Sequence, residues 1–326
     1  MQPFTYSLPV SENEALKAFA KSDHSKYIAG GTTLLDLMKY DIERPSNIVD
    51  INSLLYKGYH LKDNILEIGA LEHMSDAAEQ ADIKKSIPGI SKSLLLAASP
   101  QIRNMATLGG NLMQRTRCTY FRDVAWPCNK REPGSGCSAY HGFNRGHAIL
   151  GGSEHCIAVH PSDFAVALAA FDGIIHLKSA KGERQVRATD FHLLPGNTPD
   201  QETVLMPGEL ITKISVPLTA PSRNSTYLKL RDRASYAFAI TSVAVGLDVK
   251  NGIIQHVNLA MGGVGTKPWR SLKAEQAIIG SRTGKDTFVH FANLALEGAV
   301  PLSHNGFKIQ LAKNAIVKTL IQLATI

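Results

Sequence analysis

The sequence has no long apolar run and only a modest share of aromatic residues, 7%. No apolar stretch approaches the roughly 20 residues that a membrane-spanning helix needs, so we predict no membrane span. Residues 1–6 lack the basic start and apolar core of a signal peptide, so we expect no export signal on this chain. With 326 residues, 44% of them hydrophobic, the chain can bury a large core and is expected to hold two or three domains.

A dense basic cluster is also missing, although the net charge is +7. The richest basic stretches, Lys84-Lys85 and 231–233, are short, and no nucleic-acid-binding motif is present. Basic residues that are spread along a chain are typical of a solvated surface, or of a face that binds an acidic partner. We therefore expect no nucleic-acid binding.

Cysteine is scarce, but the four cysteines lie close together in the sequence: Cys118, Cys128, Cys137 and Cys156. Zinc sites usually contain short Cys-x-x-Cys pairs, and this chain has none. Thiolates from separate loops suit a [4Fe–4S] cluster, in which each iron takes one thiolate. Spacing alone leaves zinc, disulfides and free thiols as alternatives, and a histidine could replace one cysteine: His141, His147, His155 or His160.

Two glycine pairs, each beside a threonine, predict a clamp that holds a diphosphate from two sides. Gly30-Gly31 lies between a predicted strand and a predicted helix, and Gly109-Gly110 follows Thr107. Free N–H groups at a helix start attract phosphate. Neither pair belongs to the Gly-x-Gly-x-x-Gly fingerprint, and a tight turn with a capped helix is the alternative interpretation of each.

The remaining patterns predict a mixture of helices and strands. Residues 12–22 are typical of an amphipathic helix capped by Ser11, and Asn251-Gly252 predicts a hairpin. The stretch 221–225 is the best candidate for a linker between domains. The helix after the first glycine pair is expected to be capped by Thr32 or Thr33 and to bury Leu34, Leu35 and Met38.

Five short motifs in a fixed order resemble those of the FAD-binding subunit of the molybdenum hydroxylases, the family of xanthine dehydrogenase and carbon monoxide dehydrogenase. They lie at 29–35, 101–104, 107–111, 161–163 and 229–235. The resemblance covers essentially the whole chain. It implies an α+β fold with an FAD-binding domain of the vanillyl-alcohol-oxidase (PCMH) type, followed by a C-terminal α+β domain of the carbon monoxide dehydrogenase flavoprotein type. The expected bounds are 1–222, with subdomains at about 1–55 and 56–222, and 223–326.

The resemblance also assigns cofactor-binding residues. Asp163 is expected to bond the ribityl or ribose hydroxyls, and Lys229 to lie near the isoalloxazine. Where the family has an aromatic residue that stacks on the flavin, this chain has Ala97, so Tyr236 or the insertion described next is expected to cover the ring. No catalytic acid–base pair is expected. The full set of expected FAD contacts is Tyr27, Ile28, Ala29, Gly30, Gly31, Thr32, Thr33, Leu34, Thr107, Gly109, Gly110, Asn111, Asp163, Ile211 and Lys229.

An insertion at about residues 113–158, the cysteine segment, separates two motifs that lie close together in most of the family. It resembles the insertion that carries a [4Fe–4S] cluster in the periplasmic aldehyde oxidoreductases and in 4-hydroxybenzoyl-CoA reductase. The resemblance therefore implies that the cluster has four protein ligands: Cys118, Cys128, Cys137 and Cys156.

The implied function is that of an electron-transfer subunit in a molybdenum-containing aldehyde oxidoreductase. A large molybdopterin-binding subunit would oxidise the substrate, and a small [2Fe–2S] subunit would pass electrons to FAD in this chain, which would deliver them to an external acceptor. Such complexes travel folded to the periplasm with a partner that carries a twin-arginine signal, and a cytoplasmic location is the alternative. A zinc-stabilised, non-catalytic docking subunit is the alternative function.

Overall fold

Three β-sheets organise residues 1–325, which are the residues described by the computed structural model. The first sheet contains β1 (Thr5–Ser7), β2 (Ser25–Ile28) and β3 (Asn47–Asp50), which are parallel and ordered β1-β3-β2. Helices α1 (Glu12–Phe19) and α2 (Leu34–Lys39) connect them. The Ser11 hydroxyl caps α1 by accepting the Glu14 N–H at 3.4 Å, which confirms the predicted cap.

Helix α2 differs from its prediction in two ways. Thr33 occupies the N-cap position but makes no side-chain cap bond, because its φ of −112° and ψ of −47° are already near-helical. The buried side chains are Leu37 and Met38, whereas Leu35 is 38% exposed. The helix therefore buries a face rotated from the predicted one.

The second sheet is antiparallel and forms the centre of the largest core. Its strands are β4 (Tyr59–Lys62), β5 (Ile65–Gly69), β6 (Ile174–Ser179), β7 (Gly182–Arg187) and β8 (Leu210–Pro217), ordered β4-β5-β8-β6-β7. Seven helices accompany it: α3 (Met74–Glu79), α4 (Ala81–Ser86), α5 (Pro88–Leu96), α6 (Pro100–Arg103), α7 (Leu108–Leu112), α10 (Asp163–Ala170) and α11 (Ala188–Phe191). Ile68 and Ile214 of the sheet share one apolar cluster with Leu94 of α5 and Phe164 of α10.

Between α7 and α10 the chain has little regular structure, apart from α8 (Thr119–Arg122) and α9 (Ser138–His141). Side-chain bonds to the backbone hold it in shape: Arg131 donates to the carbonyls of Tyr120 at 3.0 Å and Phe121 at 2.7 Å. The Asn129 side-chain oxygen accepts the N–H groups of residues 134 and 136. The predicted cysteine segment is therefore an ordered loop.

The third sheet is antiparallel. It contains β9 (Ser225–Leu230), β10 (Thr241–Lys250), β11 (Ile253–Gly262) and β12 (Trp269–Arg270), ordered β12-β11-β10-β9. Helices α12 (Ala220–Arg223), α13 (Leu272–Ala277), α14 (Lys285–Ala295) and α15 (Phe307–Ala324) complete this part. Asn251 and Gly252 have φ values of 53° and 72°, as the predicted hairpin turn requires. The predicted linker is instead mostly the short, capped helix α12.

None of the helices in residues 1–325 combines the length and the apolar character needed to cross a membrane.

Candidate cofactor sites

The first glycine pair packs against the chain just before the second pair. A side chain at Gly30 would place its Cβ 1.9 Å from the Met105 carbonyl oxygen, so only glycine fits there. Gly109 donates its N–H to the Ala70 carbonyl at 2.8 Å, and a Cβ on it would meet Ala70 at 3.1 Å. The first turn therefore packs on the residues that lead into the second turn, although the two turns are distant in sequence.

The second turn is joined to the start of α10 by side-chain hydrogen bonds. Thr107 accepts the Gly110 N–H at 3.2 Å and so caps α7. The Ser162 hydroxyl donates to the Asn111 side-chain oxygen at 2.5 Å and accepts the Ala165 N–H at 2.9 Å. The motifs at 107–111 and 161–163 are thereby brought to one place.

Asp163 is buried at the first turn of α10 and its carboxylate is paired. Lys229 donates to one oxygen and the Tyr227 hydroxyl to the other, each at 2.7 Å. Burial raises the pKa of Asp163, while Lys229 and Tyr227 oppose that rise. Each oxygen can still accept a further bond, so a cofactor hydroxyl remains compatible with this arrangement.

Tyr227 is a site residue that the sequence interpretation missed. It is buried, and the nearby Asp163 charge adds to burial in raising the pKa of its hydroxyl well above the ordinary value. Tyr227 and Lys229 are two residues apart on β9, so they face the same side of that strand. Because residues two apart on a strand share a face, the position of Lys229 in its motif could have identified Tyr227 from the sequence.

Two further predicted FAD contacts, Tyr27 and Ile211, have side chains that point towards the interior of the fold. Tyr27 turns its side chain inward, packs on Phe19 with ring centroids 4.4 Å apart, and donates to the Gly208 carbonyl. It can therefore contact a ligand in the clamp only through its backbone. Ile211 is buried beneath the second glycine pair, with its Cβ 3.6 Å from where a Cβ on Gly109 would lie.

A small pocket lies beside Asp163. Its lining includes Arg117 of the cysteine segment and Phe238, whose ring lies 5.1 Å below the Arg117 guanidinium. Tyr236 is not among the lining residues, and Ala97 is buried. Lys229 also donates to the carbonyl of Leu96, the residue before Ala97.

All four cysteines line a second, narrow pocket. Cys118 is held by α8, Cys137 precedes α9, and Cys128 and Cys137 pair as an isolated antiparallel bridge. None of the four forms a disulfide. Within residues 1–325, no three His, Cys, Asp or Glu side chains are placed so that they could share one metal ion. The thiols therefore surround a space instead of meeting at a point.

Backbone N–H groups point at the sulfurs. Cys118 is bonded by the amides of Tyr120 and Phe121, and Cys156 by the amide of Ala158 at 3.4 Å. Burial raises the pKa of Cys118 to about 12 and that of Cys156 to about 11, and it also raises the pKa of Cys137. Buried thiols of this kind need a positive centre, such as bound metal, to persist as thiolates.

Comparison with known families and structures decides the identity of the fold. Residues 2–219 match the FAD binding domain in molybdopterin dehydrogenase, and residues 225–323 match the CO dehydrogenase flavoprotein C-terminal domain. The chain belongs to the FAD-binding subunits of the molybdenum hydroxylases. The predicted order, an FAD-binding domain followed by a C-terminal domain in a mixed α/β fold, is confirmed. The chain is thus an oxidoreductase subunit of the xanthine dehydrogenase family.

Relatives span the full chain. The aldehyde oxidoreductase FAD-binding subunit of Escherichia coli K12 is 42% identical over 99% of this chain and 98% of its own length. The glyceraldehyde dehydrogenase medium chain of Sulfolobus acidocaldarius is 28% identical over 93% and 91%. Reconstituted CO dehydrogenase from Oligotropha carboxidovorans superposes with a TM-score of 0.78 over 100% of this chain and 99% of that one. At 21% identity that likeness concerns the fold alone.

Proposed function

We propose that this chain is the electron-transfer subunit of a molybdenum-containing aldehyde oxidoreductase. It would receive electrons from partner [2Fe–2S] clusters and pass them through FAD to an external acceptor, and it would hold an additional [4Fe–4S] cluster. The aldehyde assignment is supported by the 42% identity to the Escherichia coli aldehyde oxidoreductase subunit over nearly the whole chain. The observation that carries the cluster is that all four cysteines line one narrow pocket.

The arrangement of the thiols favours a cluster over a single zinc ion. A tetrahedral zinc ion binds each sulfur at about 2.3 Å and so needs four converging thiols. Here the thiols are spread around a space and receive backbone N–H bonds, which stabilise thiolate sulfurs in iron–sulfur sites. The proposed ligands are Cys118, Cys128, Cys137 and Cys156.

The clamp residues would bind FAD as the family resemblance implies. The two glycine pairs would present backbone without side chains to the pyrophosphate, and Asp163 would accept a hydroxyl hydrogen bond. When bound, FAD accepts electrons singly from iron–sulfur clusters and passes one or two to an acceptor. Lys229 would hold Asp163 charged and in place beside the ring.

The proposed domain division is 1–222 and 223–326, with the first part split near residue 55. Each of these three parts contains one of the three sheets. The partners would be a large molybdopterin-binding subunit and a small [2Fe–2S] subunit. Medium chains among the relatives, such as that of glyceraldehyde dehydrogenase, support this assembly. The complex would fold in the cytoplasm and travel to the periplasm with a partner, and fractionation of the native host tests that location.

The test of the cluster is the visible spectrum of the anaerobically purified complex, with iron, zinc and flavin quantified. The small subunit's two clusters account for about four irons, so about eight per FAD support the proposal. Replacing Cys118 by serine should remove about four of them. Ser138→Ala, which alters another residue lining the cavity, should remove none. One zinc in place of the extra irons would instead favour the docking subunit.

The flavin clamp has its own test. Gly30→Ala should lose most bound FAD, because the new Cβ would overlap the Met105 carbonyl and push the two turns apart. The control is Gly284→Ala, where a Cβ meets nothing within 4 Å. Flavin content after gel filtration measures the difference, and equal retention in both variants would refute the clamp.

A further inference from the structure

The stretch 34–43, the linking segment, lies between the two candidate cofactor sites. It begins three residues after Gly31, and the Leu35 N–H bonds the Gly31 carbonyl at 3.1 Å, so α2 and the first glycine turn form one unit. Its other side packs on the cysteine segment. Leu37 forms an apolar cluster with Phe121 and Cys128, and Ile42 packs against them.

Charges reinforce this contact. Asp36 of α2 accepts hydrogen bonds from Arg117, at 3.0 Å, and from Arg122, which flank Cys118 on both sides. Glu43 pairs with Arg115 at 2.6 Å. In every one of these pairs the acid belongs to the linking segment and the arginine to the cysteine segment. The Arg122 side chain is only 14% exposed, which strengthens its pair relative to a surface ion pair.

The first glycine turn has little freedom to adapt if α2 shifts. Gly30 already touches the Met105 backbone so closely that a Cβ would not fit. A displacement of α2 would therefore shift Gly30 against the Met105 backbone, which leads into the second glycine pair. In the cysteine segment, Arg117 and Arg122 lie one and four residues from Cys118, and Arg122 ends the short helix whose N-cap position Cys118 occupies, so a ligand on that thiol acts directly on the position of both arginines.

We propose that Asp36 is a positioning residue that couples the two cofactor sites. Filling of the cysteine cavity fixes Arg117 and Arg122, which hold α2 and the first glycine turn in the arrangement that binds FAD. By linkage, bound FAD raises the affinity of the cysteine segment for its cluster by the same factor. The inference rests on the proposed function, since it takes FAD and a metal cluster as the two ligands.

The test compares the FAD dissociation constant of the full chain with and without the reconstituted cluster, measured by quenching of flavin fluorescence. The wild-type chain should bind FAD about fivefold or more tightly when the cluster is present. In Asp36→Asn the ratio should fall towards one. An unchanged ratio in this variant would overturn the proposal, as would a wild-type ratio of one.

Asp41→Asn is the matched control. Asp41 lies on the same segment and pairs with Arg44 at 2.7 Å, away from the cysteine segment, and its φ of 59° suits asparagine. This variant should keep the wild-type ratio. Arg122→Gln breaks the same contact from the other side, should lower the ratio in the same way, and replaces Asp36→Asn if that variant does not fold.

The readouts separate the two proposals. A chain that takes up no iron refutes the cluster and the coupling together. A chain that binds about four irons and FAD, but binds FAD equally well without iron, refutes the coupling and leaves the proposed function intact. If Asp36 only stabilised the fold, Asp36→Asn would weaken FAD binding equally with and without the cluster. The ratio of the two FAD dissociation constants would then stay unchanged, which also refutes the proposal.

Discussion

At the scale of single residues, the second glycine turn is supported by His192, a buried residue that no motif contains. Its Nε2 donates to the Leu112 carbonyl at 2.9 Å at the end of the second turn, and its ring lies 4.0 Å from that of His160. Burial lowers the pKa of His192 to about 4, so it remains neutral in the folded chain.

This burial predicts a dependence of stability on pH. Between pH 6.5 and about 4 the unfolded chain binds a proton at His192 that the folded chain does not bind. The contribution of His192 to the free energy of unfolding is therefore fully present above pH 6.5. It is lost as the pH falls towards 4, and the loss is about 3 kcal/mol at most. His192→Asn should make that part of the urea-unfolding profile against pH less steep, and His147 and His160, whose pKa values burial also lowers, contribute to the slope that remains. His256→Asn, at an exposed position, should leave it unchanged, and two parallel profiles would contradict the argument.

At the scale of elements, sequence patterns predicted what depends on neighbours in the chain and missed what depends on distant ones. The Ser11 cap and the Asn251-Gly252 turn are local, and both were correct. The buried face of α2 was predicted only in part, since Met38 is buried as expected but Leu37, and not Leu35, is buried with it. Its partner, Phe121, lies in a segment without regular periodicity, so nothing near α2 in the sequence indicated which face would be covered.

The same limit applies to the candidate site. Glycine pairs have local signatures, because only glycine allows such close backbone approach, and their motifs were visible. Ion pairs between distant residues have no local signature in the sequence. The bonds between Asp36 and its two arginines join residues far apart in sequence, and any of the chain's many charges could have been the partner. Only the folded chain specifies them.

The observed face of α2 makes an element-scale prediction. Leu37→Ala should lower the free energy of unfolding by about 2–5 kcal/mol, because a side chain only 1% exposed leaves a cavity against Phe121. Leu35→Ala, two residues away on the same helix but 38% exposed, should cost less than about 1 kcal/mol. Urea unfolding measures both. The reverse order would mean that the predicted face, not the observed one, is buried.

At the scale of the whole molecule, the cysteine segment holds the first two sheets and the C-terminal part together. Leu150 pairs with Gly265 as an isolated parallel bridge, and the Ile149 N–H bonds the Val264 carbonyl at 2.9 Å. Lys308 of α15 connects the same two parts by hydrogen bonds. Its buried ammonium donates to the carbonyls of residues 146, 147 and 263, at 3.1, 2.8 and 2.6 Å.

Lys308 therefore joins two parts of the molecule by hydrogen bonds. Two of its acceptors belong to the cysteine segment, and the third is residue 263, directly after β11. Lys308→Met keeps the length of the side chain but leaves three carbonyls without their donor. Each such loss costs about 1–3 kcal/mol when no water replaces the donor. We expect a loss of several kcal/mol, together with faster proteolytic cleavage within the cysteine segment. Lys318→Met, at an exposed position of the same helix, should change neither. If Lys308→Met destabilises the chain while the cysteine segment stays fully resistant to protease, Lys308 supports only its own helix and does not join the parts.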